Sequence, residues 1–392
     1  MGSSRNAAVL QLGARSEYGH KVAGCSRRLH PAFFCLSRAR PVKIGARPTA
    51  PVSTMSDHAS ALAELLQRWL PRTDTPTLLL NTEAPGVIAP LAESGAVLTH
   101  CHFRAGAALA HAAAGLEALN FPDTPTQRPR RVIWHWPKAK AEAGMILDWL
   151  AGWLQPEGEL WLFGANRGGI RSAPRFLAQR GWSARKVGSA RHSVLLQASP
   201  PGGTEDFDLQ TCWSRVAVPE ADDHLLWSLP GVFSHGRVDK GSRHLLPFLH
   251  DLPGPVLDFG CGAGLLSLVA GSRQPGLKLT GVDNDWLAVL SSRRTAEANN
   301  LNLEVHWQDG LASLAGQWGS LITNPPFHTG LATQYETTRD MIARSRQLLR
   351  PGGRWLAVVN DHLPYRDWLH EYLREVECLH HGGGFRVWQA TV

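Results

Sequence analysis

The stretch Val256-Leu257-Asp258-Phe259-Gly260-Cys261-Gly262-Ala263-Gly264 constrains this chain more than any other. Pro255, Val256 and Leu257 form a short apolar run that reads as a buried strand. Asp258 stands at its end. Gly260, Gly262 and Gly264 then permit a tight turn and a close approach of backbone to a ligand. Leu265, Leu266, Leu268, Val269 and Ala270 follow at helical spacing. Strand, glycine turn and helix in that order form the nucleotide-cradling element of doubly wound α/β sheets.

Glycines alone are a weak signal, and two later stretches sharpen it. Leu277 to Asp285 reads as a second strand ending in an acid. Its Asp283 lies 19 residues beyond Gly264, where such folds place a carboxylate for ribose hydroxyls. Leu321-Ile322-Thr323 is a third apolar strand, and it runs into Asn324-Pro325-Pro326-Phe327, 66 residues after Asp258. Val305 to Asp309 reads as a further strand with Asp309 at its C-terminal end.

This set resembles the Rossmann-like methyltransferases that modify planar amino nitrogens. The resemblance implies that Asp258, Gly260, Cys261, Gly262 and Gly264 hold the methionine part of S-adenosylmethionine. It also implies that Asp283 and Asn284 hold its ribose, that Asp309 accepts from the adenine amino group, and that Asn324 borders the cofactor. The Asn324-Pro325-Pro326-Phe327 loop then takes the amine to be methylated. The physics agrees. An exocyclic amine conjugated to a ring is a poor nucleophile, because its lone pair is delocalised. Acceptors at the Asn324 amide oxygen and the Pro325 carbonyl can grip both of its hydrogens, favour a pyramidal nitrogen and aim the lone pair. Prolines stiffen such a loop, and Phe327 offers a face on which a base can stack.

Length and composition fit this reading. A chain of 392 residues is long enough for two domains. No apolar run approaches the ~18 residues that span a bilayer. None of the six cysteines forms a Cys-x-x-Cys pair, and the 18 histidines show no convincing metal spacing, so no metal site is expected. The net charge of +7 does not describe the folded part. Residues 1–54 hold nine Lys or Arg and one acid, a net of +8 that leaves −1 for the rest. This extension is rich in Arg, Ser, Ala and Pro and has no apolar period. Disorder is expected there, whether the segment is an organelle leader, a basic arm or an upstream start with Met55 as the true beginning. An amphipathic helix is expected directly after Met55 (Ala61, Leu62, Leu65, Leu66, Trp69, Leu70).

Residues 77 to about 200 repeat the plan of the C-terminal half without its chemistry. Thr77 to Asn81 parallels the strand before the glycine turn. Thr82 to Gly86 keeps one glycine, and Ala96 to His100 stands for the Asp283 strand without the acid. Arg131 to Lys138 stands for the Asn324 strand. Pro156 to Asn166 parallels Pro351 to Asn360, and Ser193 to Ala198 parallels the final strand from Phe385. This is a long-period duplication, and its first copy is expected to have lost the cofactor and to bind substrate. Seven cations and no acid lie between Arg167 and Arg191, with Arg167, Arg171 and Arg175 as candidate RNA contacts. Residues 200–228 read as a linker. Leu229-Pro230-Gly231-Val232-Phe233-Ser234 opens the second domain, with Phe233 a candidate substrate contact. Asp239 to Leu246 reads as a helix start. In the methyltransferases that the chain resembles this segment lies over the site mouth, which makes Asp239 and Gly241 site candidates; a cap and turn before a core helix is the other reading. Pro351-Gly352-Gly353 reads as a turn, and Gly382-Gly383-Gly384 as the turn of a terminal hairpin.

From about Leu62 to Val392 the chain resembles the ribosomal RNA small-subunit methyltransferase C family. The matching residues are Trp136-Pro137-Lys138-x-Lys140, Asn166-Arg167 with Gly169-Ile170-Arg171-Ser172-Ala173, Leu229 to Ser234, Asn324-Pro325-Pro326-Phe327-His328, and Gly384-Phe385-Arg386-Val387. The resemblance implies two tandem Rossmann-like class I methyltransferase domains, the N-terminal one degenerate: residues 55–199 for RNA, 229–392 for catalysis. It implies methyl transfer from S-adenosylmethionine to guanine N2 of 16S rRNA, in the 30S subunit, by a cytoplasmic monomer with no membrane contact. Without the resemblance, the residues leave other readings open: a 23S rRNA guanine-N2 enzyme, an adenine-N6 or protein-glutamine methyltransferase, or a non-enzymatic RNA-binding assembly factor. No cysteine is placed to form a covalent intermediate, so direct displacement is expected.

Overall fold

The apolar runs pair into two seven-stranded sheets of identical topology. The computed structural model describes residues 57–71, 74–82, 91–113, 115–202, 206–312, 314–325 and 331–392, all within the unit Thr54–Val392. The expected disorder of residues 1–54, the stretch Glu83 to Gly86 and residues 203–205 lie outside the described residues. The expected helix after Met55 is present as Asp57–Trp69.

The first sheet contains β1 (Thr77–Leu80), β2 (Leu98–Cys101), β3 (Glu117–Ala118), β4 (Arg131–His135), β5 (Glu159–Ala165), β6 (Ser183–Ala190) and β7 (Ser193–Ser199), in the order β3-β2-β1-β4-β5-β7-β6. A separate hairpin follows, β8 (Ser214–Val218) with β9 (His224–Ser228). The second sheet contains β10 (Val256–Phe259), β11 (Leu279–Asp283), β12 (Leu303–Trp307), β13 (Trp318–Thr323), β14 (Leu349–Asn360), β15 (Arg374–Gly382) and β16 (Phe385–Thr391). Its order is β12-β11-β10-β13-β14-β16-β15, the same permutation. In each sheet the first five strands run parallel and the penultimate one is antiparallel to both neighbours.

Central strands buried on both faces read as unbroken apolar runs, as in β1 and β4 of the first sheet and β13 of the second. Leu78, Leu257 and Leu321 are fully buried, and each such side chain contributes about 2 kcal/mol. One buried cluster crosses both halves, from Trp134 and Trp149 through Leu229 to Leu266 and Trp286.

The halves also meet through equivalent segments. Register equates Leu80 with Phe259 and Cys101 with Val282, so the stretch after β2 corresponds to the stretch after β11. The N–H of Trp286 donates to Phe103 O at 2.8 Å, and the N–H of Ala105 donates to Asn284 O at 3.0 Å. Arg104 and Asp285 form an antiparallel bridge between them. The contact is a local two-fold between the two copies of one segment.

Three expectations change. Residues 200–228 are not only a connection: Leu225, Trp227 and Leu229 donate their N–H groups to Asn299, Thr295 and Ser291 of the helix Trp286–Ala298 and its end. The β8–β9 hairpin therefore docks on the second half. Pro351-Gly352-Gly353 is not a turn before a strand but a bulge within β14. Trp318 pairs with Leu349 and Ser320 with Arg354, which leaves the residues between outside the ladder. Finally, Ala165 pairs with Ser193 as Asn360 pairs with Phe385, so Asn166 corresponds to Asp361, one residue away from the alignment read in the sequence.

Candidate active site

The glycine turn adopts the conformation that its composition requires. Gly260, Gly262 and Gly264 have φ of 69°, 55° and 86°, where side chains are strained. A Cβ on Gly264 would come within 2.8 Å of Ser292 Oγ, whereas one on Gly262 would meet only open space. The turn thus packs on one side and presents bare backbone on the other.

Asp258 does not present its carboxylate to that open side. It is fully buried beneath the turn, and its Oδ2 accepts from the N–H and Oγ of Ser267 at 3.1 and 2.7 Å. It thereby ties the strand to the first turns of the helix Leu265–Arg273. Burial pushes its carboxyl up to about 7, and its Oδ1 has no partner among the described residues. Cys261 is also turned inward, with its sulfur against Gly281, and burial holds its thiol far above the usual range. Only its backbone can serve the turn, and a neutral buried thiol is no nucleophile.

Asp283 is the carboxylate at the mouth. Its Oδ2 accepts from Gly262 N–H at 2.8 Å and its Oδ1 from Asp285 N–H at 2.8 Å. Each oxygen retains acceptor capacity for a further donor. Burial raises the pKa of Asp283. The side chain of Asn284, expected beside the cofactor, points elsewhere: its Oδ1 accepts from Ala105 N–H of the first half at 2.7 Å. Asp309 is exposed just beyond β12, and a Cβ on Gly106 would collide with its carboxylate. Gln308 N–H binds Asp283 O at 3.0 Å, which keeps the two acids on neighbouring loops.

Asn324 closes the site from β13. Its Nδ2 donates to Asp239 Oδ2 at 3.1 Å and to Ser242 Oγ at 2.9 Å. Asp239 is itself fixed, since its Oδ2 accepts from Ser242 N–H at 2.7 Å as the N-cap of the helix Lys240–Leu245. With both amide hydrogens so engaged, Asn324 Oδ1 is left as an acceptor with no partner among the described residues. Pro325 is buried directly after it. Pro326 and Phe327 lie outside the described residues. Phe233 sits on the segment leading to Asp239 and is 55% exposed. Gly241 is required by packing, since a Cβ there would approach Phe385 Cε1 to 2.8 Å. Ser242 was missed in the sequence. The helix start at Asp239 was read from the sequence and is present, but nothing in it marks Ser242 as a partner of Asn324.

The corresponding positions in the first half carry other residues. Register puts Asn81 at Gly260, His102 at Asp283 and His135 at Asn324. Asn81 Oδ1 accepts from Phe103 N–H at 2.8 Å. His102 packs at 5.8 Å from His111, which stands 5.2 Å from His100. Trp136, next to His135, is buried against Trp134. His100 stands at Gly281 by the same register, so the three imidazoles, all buried, pack where the second half has Gly281 and Asp283.

The basic stretch divides by structure. Arg180 pairs with Asp148 and Arg191 with Glu64, and Arg185 hydrogen-bonds Gln197. Arg167, Arg171 and Arg175 are exposed and have no acidic partner among the described residues. Arg167 and Arg171 line a common cavity; Arg175, on the helix Ala173–Ala178, does not.

The open glycine backbone and the Asp283 acceptors fit a nucleoside-bearing cofactor, and Asn324 Oδ1 fits an amine donor. Comparison with known proteins agrees. Residues 223–389 match the methyltransferase small domain, and residues 63–216 match the methyltransferase small domain N-terminal. The ribosomal RNA small subunit methyltransferase C of Pseudomonas aeruginosa is 38% identical over 337 residues, covering 84% of this chain and 98% of that protein. That of Aeromonas hydrophila is 35% identical over 347 residues, 86% of this chain and 100% of that protein. Among solved structures, the 16S rRNA N2 methyltransferase of T. thermophilus in complex with AdoMet and guanosine superposes with a TM-score of 0.72 at 25% identity, covering 84% of this chain and 91% of that one.

Proposed function

The chain belongs to the ribosomal RNA small subunit methyltransferase C family, and on that basis we propose that it transfers a methyl group from S-adenosylmethionine to the exocyclic N2 of a guanine in 16S rRNA. The observation that carries the reading is Asn324, whose Nδ2 is held by Asp239 and Ser242 so that Oδ1 receives the amine. The cofactor supplies an electrophilic methyl group on a sulfonium.

The chain supplies position. The backbone of Gly260, Gly262 and Gly264 admits the methionine part of the cofactor, the Asp283 oxygens take its ribose hydroxyls, and Asp309 takes its adenine amino group. Asp258, Cys261 and Asn284 act behind these groups, holding the helix, the turn and the loop. Asn324 Oδ1 and Pro325 O accept the two N2 hydrogens, which turns the nitrogen lone pair toward the methyl group. Fixing that geometry before reaction is worth more here than a strong base. The N2 proton becomes acidic only after transfer, so it leaves to water. Phe233 and Phe327 offer apolar faces to the splayed base.

Residues 55–199 serve as the RNA-holding half and residues 229–392 as the catalytic half. The partner is 16S rRNA in the 30S subunit, and the enzyme works as a cytoplasmic monomer. No helix among the described residues is long and apolar enough to cross a membrane. The test is labelled methyl transfer to unmethylated 30S particles, free 16S rRNA and 23S rRNA, with nucleoside analysis. N2-methylguanosine in 16S rRNA supports the reading. Label confined to 23S rRNA or to adenine would refute it.

A further inference from the structure

A second cavity lies at the C-terminal end of β5, in the half that carries no chemistry. It has a volume of about 510 Å³ and is lined by Ala165, Asn166, Arg167, Arg171 and His192. Two of its cations have no acidic partner among the described residues. Asn166 is held by its backbone, whose N–H donates to His192 O at 2.8 Å, while its side-chain Oδ1 is buried with no partner among the described residues. A buried acceptor left unpaired is costly, and Asn166 lines the cavity, so a turn of its amide toward the opening lets Oδ1 meet a donor from outside the chain.

The turn that brings in His192 is strained. Arg191 and His192 join β6 to β7 with φ of 42° and 63°. The equivalent turn between β15 and β16 is made by Gly383 and Gly384, with φ of 63° and 84°. It holds the chain in the same way, through Asp361 N–H to Gly384 O at 3.0 Å. Two-residue hairpin turns with both residues at positive φ favour Asn and Gly. Side chains kept in that conformation concentrate at functional sites. Here the strain places an imidazole beside two guanidiniums and an orphaned amide oxygen.

We propose that this cavity binds one nucleotide of the RNA strand, with its phosphate on Arg167 and Arg171 and its ribose 2′-hydroxyl donating to Asn166 Oδ1. His192 stacks on or hydrogen-bonds the same nucleotide. The site holds the substrate at a distance from the methylated base, and the assignment rests on the reading that the chain acts on 16S rRNA. A 2′-hydroxyl is the donor that every ribonucleotide carries and DNA lacks.

The test is equilibrium binding of the full chain to a short single-stranded oligoribonucleotide and to the DNA of the same sequence, across a salt series. The double variant Arg167→Ala with Arg171→Ala should bind RNA about tenfold or more weakly. Each lost phosphate contact should flatten the salt slope by about 0.7. Asn166→Ala should lower the preference for RNA over DNA about threefold or more. His192→Gly relieves the turn, so it should raise Tm by about 2–4 °C while weakening RNA binding. Unchanged affinity and slope in the double variant would overturn the proposal. A more stable His192→Gly with undiminished RNA affinity would overturn the part given to His192. These measurements need no methyl transfer. A wild-type chain that binds RNA through this cavity but modifies no guanine would therefore sink the functional reading and leave this one standing.

Discussion

Asn284 Oδ1, adjacent to the Asp283 carboxylate, accepts the backbone N–H of Ala105 at 2.7 Å. The first half therefore holds the loop that presents the ribose acceptors, although Asn284 itself points away from them. Asn284→Ala should weaken S-adenosylmethionine binding by about three- to tenfold, the equivalent of one hydrogen bond, with kcat nearly unchanged at saturating cofactor. Calorimetric titration with the cofactor reads the first quantity and saturating turnover the second. A normal Kd would show that the loop holds itself.

The pair Asn324 and Asp239 predicts a different pattern. Asn324→Ala should lower kcat about a hundredfold or more, in the range seen when an oriented acceptor or donor at a reacting group is removed, with cofactor affinity nearly intact. Asp239→Ala should move kcat in the same direction by a smaller factor, because the amide is then free to turn. If either variant lost cofactor binding and kept turnover, Asn324 would belong to the cofactor site.

Stability at the back of the sheet depends on Gly319. Its N–H and that of Ser320 both donate to Pro255 O, at 2.8 and 3.3 Å. A Cβ at Gly319 would meet the carbonyls of Pro253 and Gly254 inside contact distance. Backbone cannot yield as a flexible side chain can, so Gly319→Ala should destabilise by about 3 kcal/mol. Urea unfolding at unchanged m would show it as a lower midpoint, and a wild-type midpoint would contradict it.

The histidines of the first half predict an acid-sensitive stability. Burial, then the neighbouring His111, lowers His100 from 6.5 to about 4, and burial lowers His102 to about 3. Folded values below the unfolded one mean stability that is complete above pH 6.5 and lost as pH falls through those values. Asp258 has the opposite sign. Raised from 3.8 to about 7, it contributes fully at low pH and loses that contribution as pH rises through about 7. The histidine part is isolated by His100→Leu, since both ring nitrogens of His100 are buried without partners among the described residues. The variant should match or exceed wild-type Tm near pH 7.5 and lose less Tm on moving to about pH 5. Equal losses would remove His100 from the account.

Much of this was legible in the chain itself. Apolar runs bounded by glycine and proline marked the strands, because a strand buried on both faces admits little else. The duplication was visible from the same runs. The glycine turn and Asp283 were legible because a tight backbone approach and a ribose acceptor each need one residue type. Other features depended on contacts distant in sequence. Asn284 looked like part of the cofactor site, and only the approach of Ala105 sends its side chain to the other half. Asp258 ends its strand like a ligand, yet it faces Ser267 below the turn. The grip of Asp239 on Asn324 spans 85 residues. The β8–β9 hairpin carries apolar residues, Val216, Val218, Leu225, Leu226 and Trp227, but nothing in them says which half they pack on, and the Arg191–His192 turn carries neither residue type that marks such turns.

The central claim is that Asn324, oriented by Asp239 and Ser242, presents guanine N2 to the methyl donor. Its most direct test is mass-spectrometric nucleoside analysis of 16S rRNA from unmethylated 30S particles treated with wild-type protein or Asn324→Ala, with cofactor affinity measured for both. The account predicts N2-methylguanosine as the new nucleoside with wild type and none with the variant, at equal affinity. A different methylated nucleoside, or the same N2-methylguanosine yield from Asn324→Ala, would contradict it.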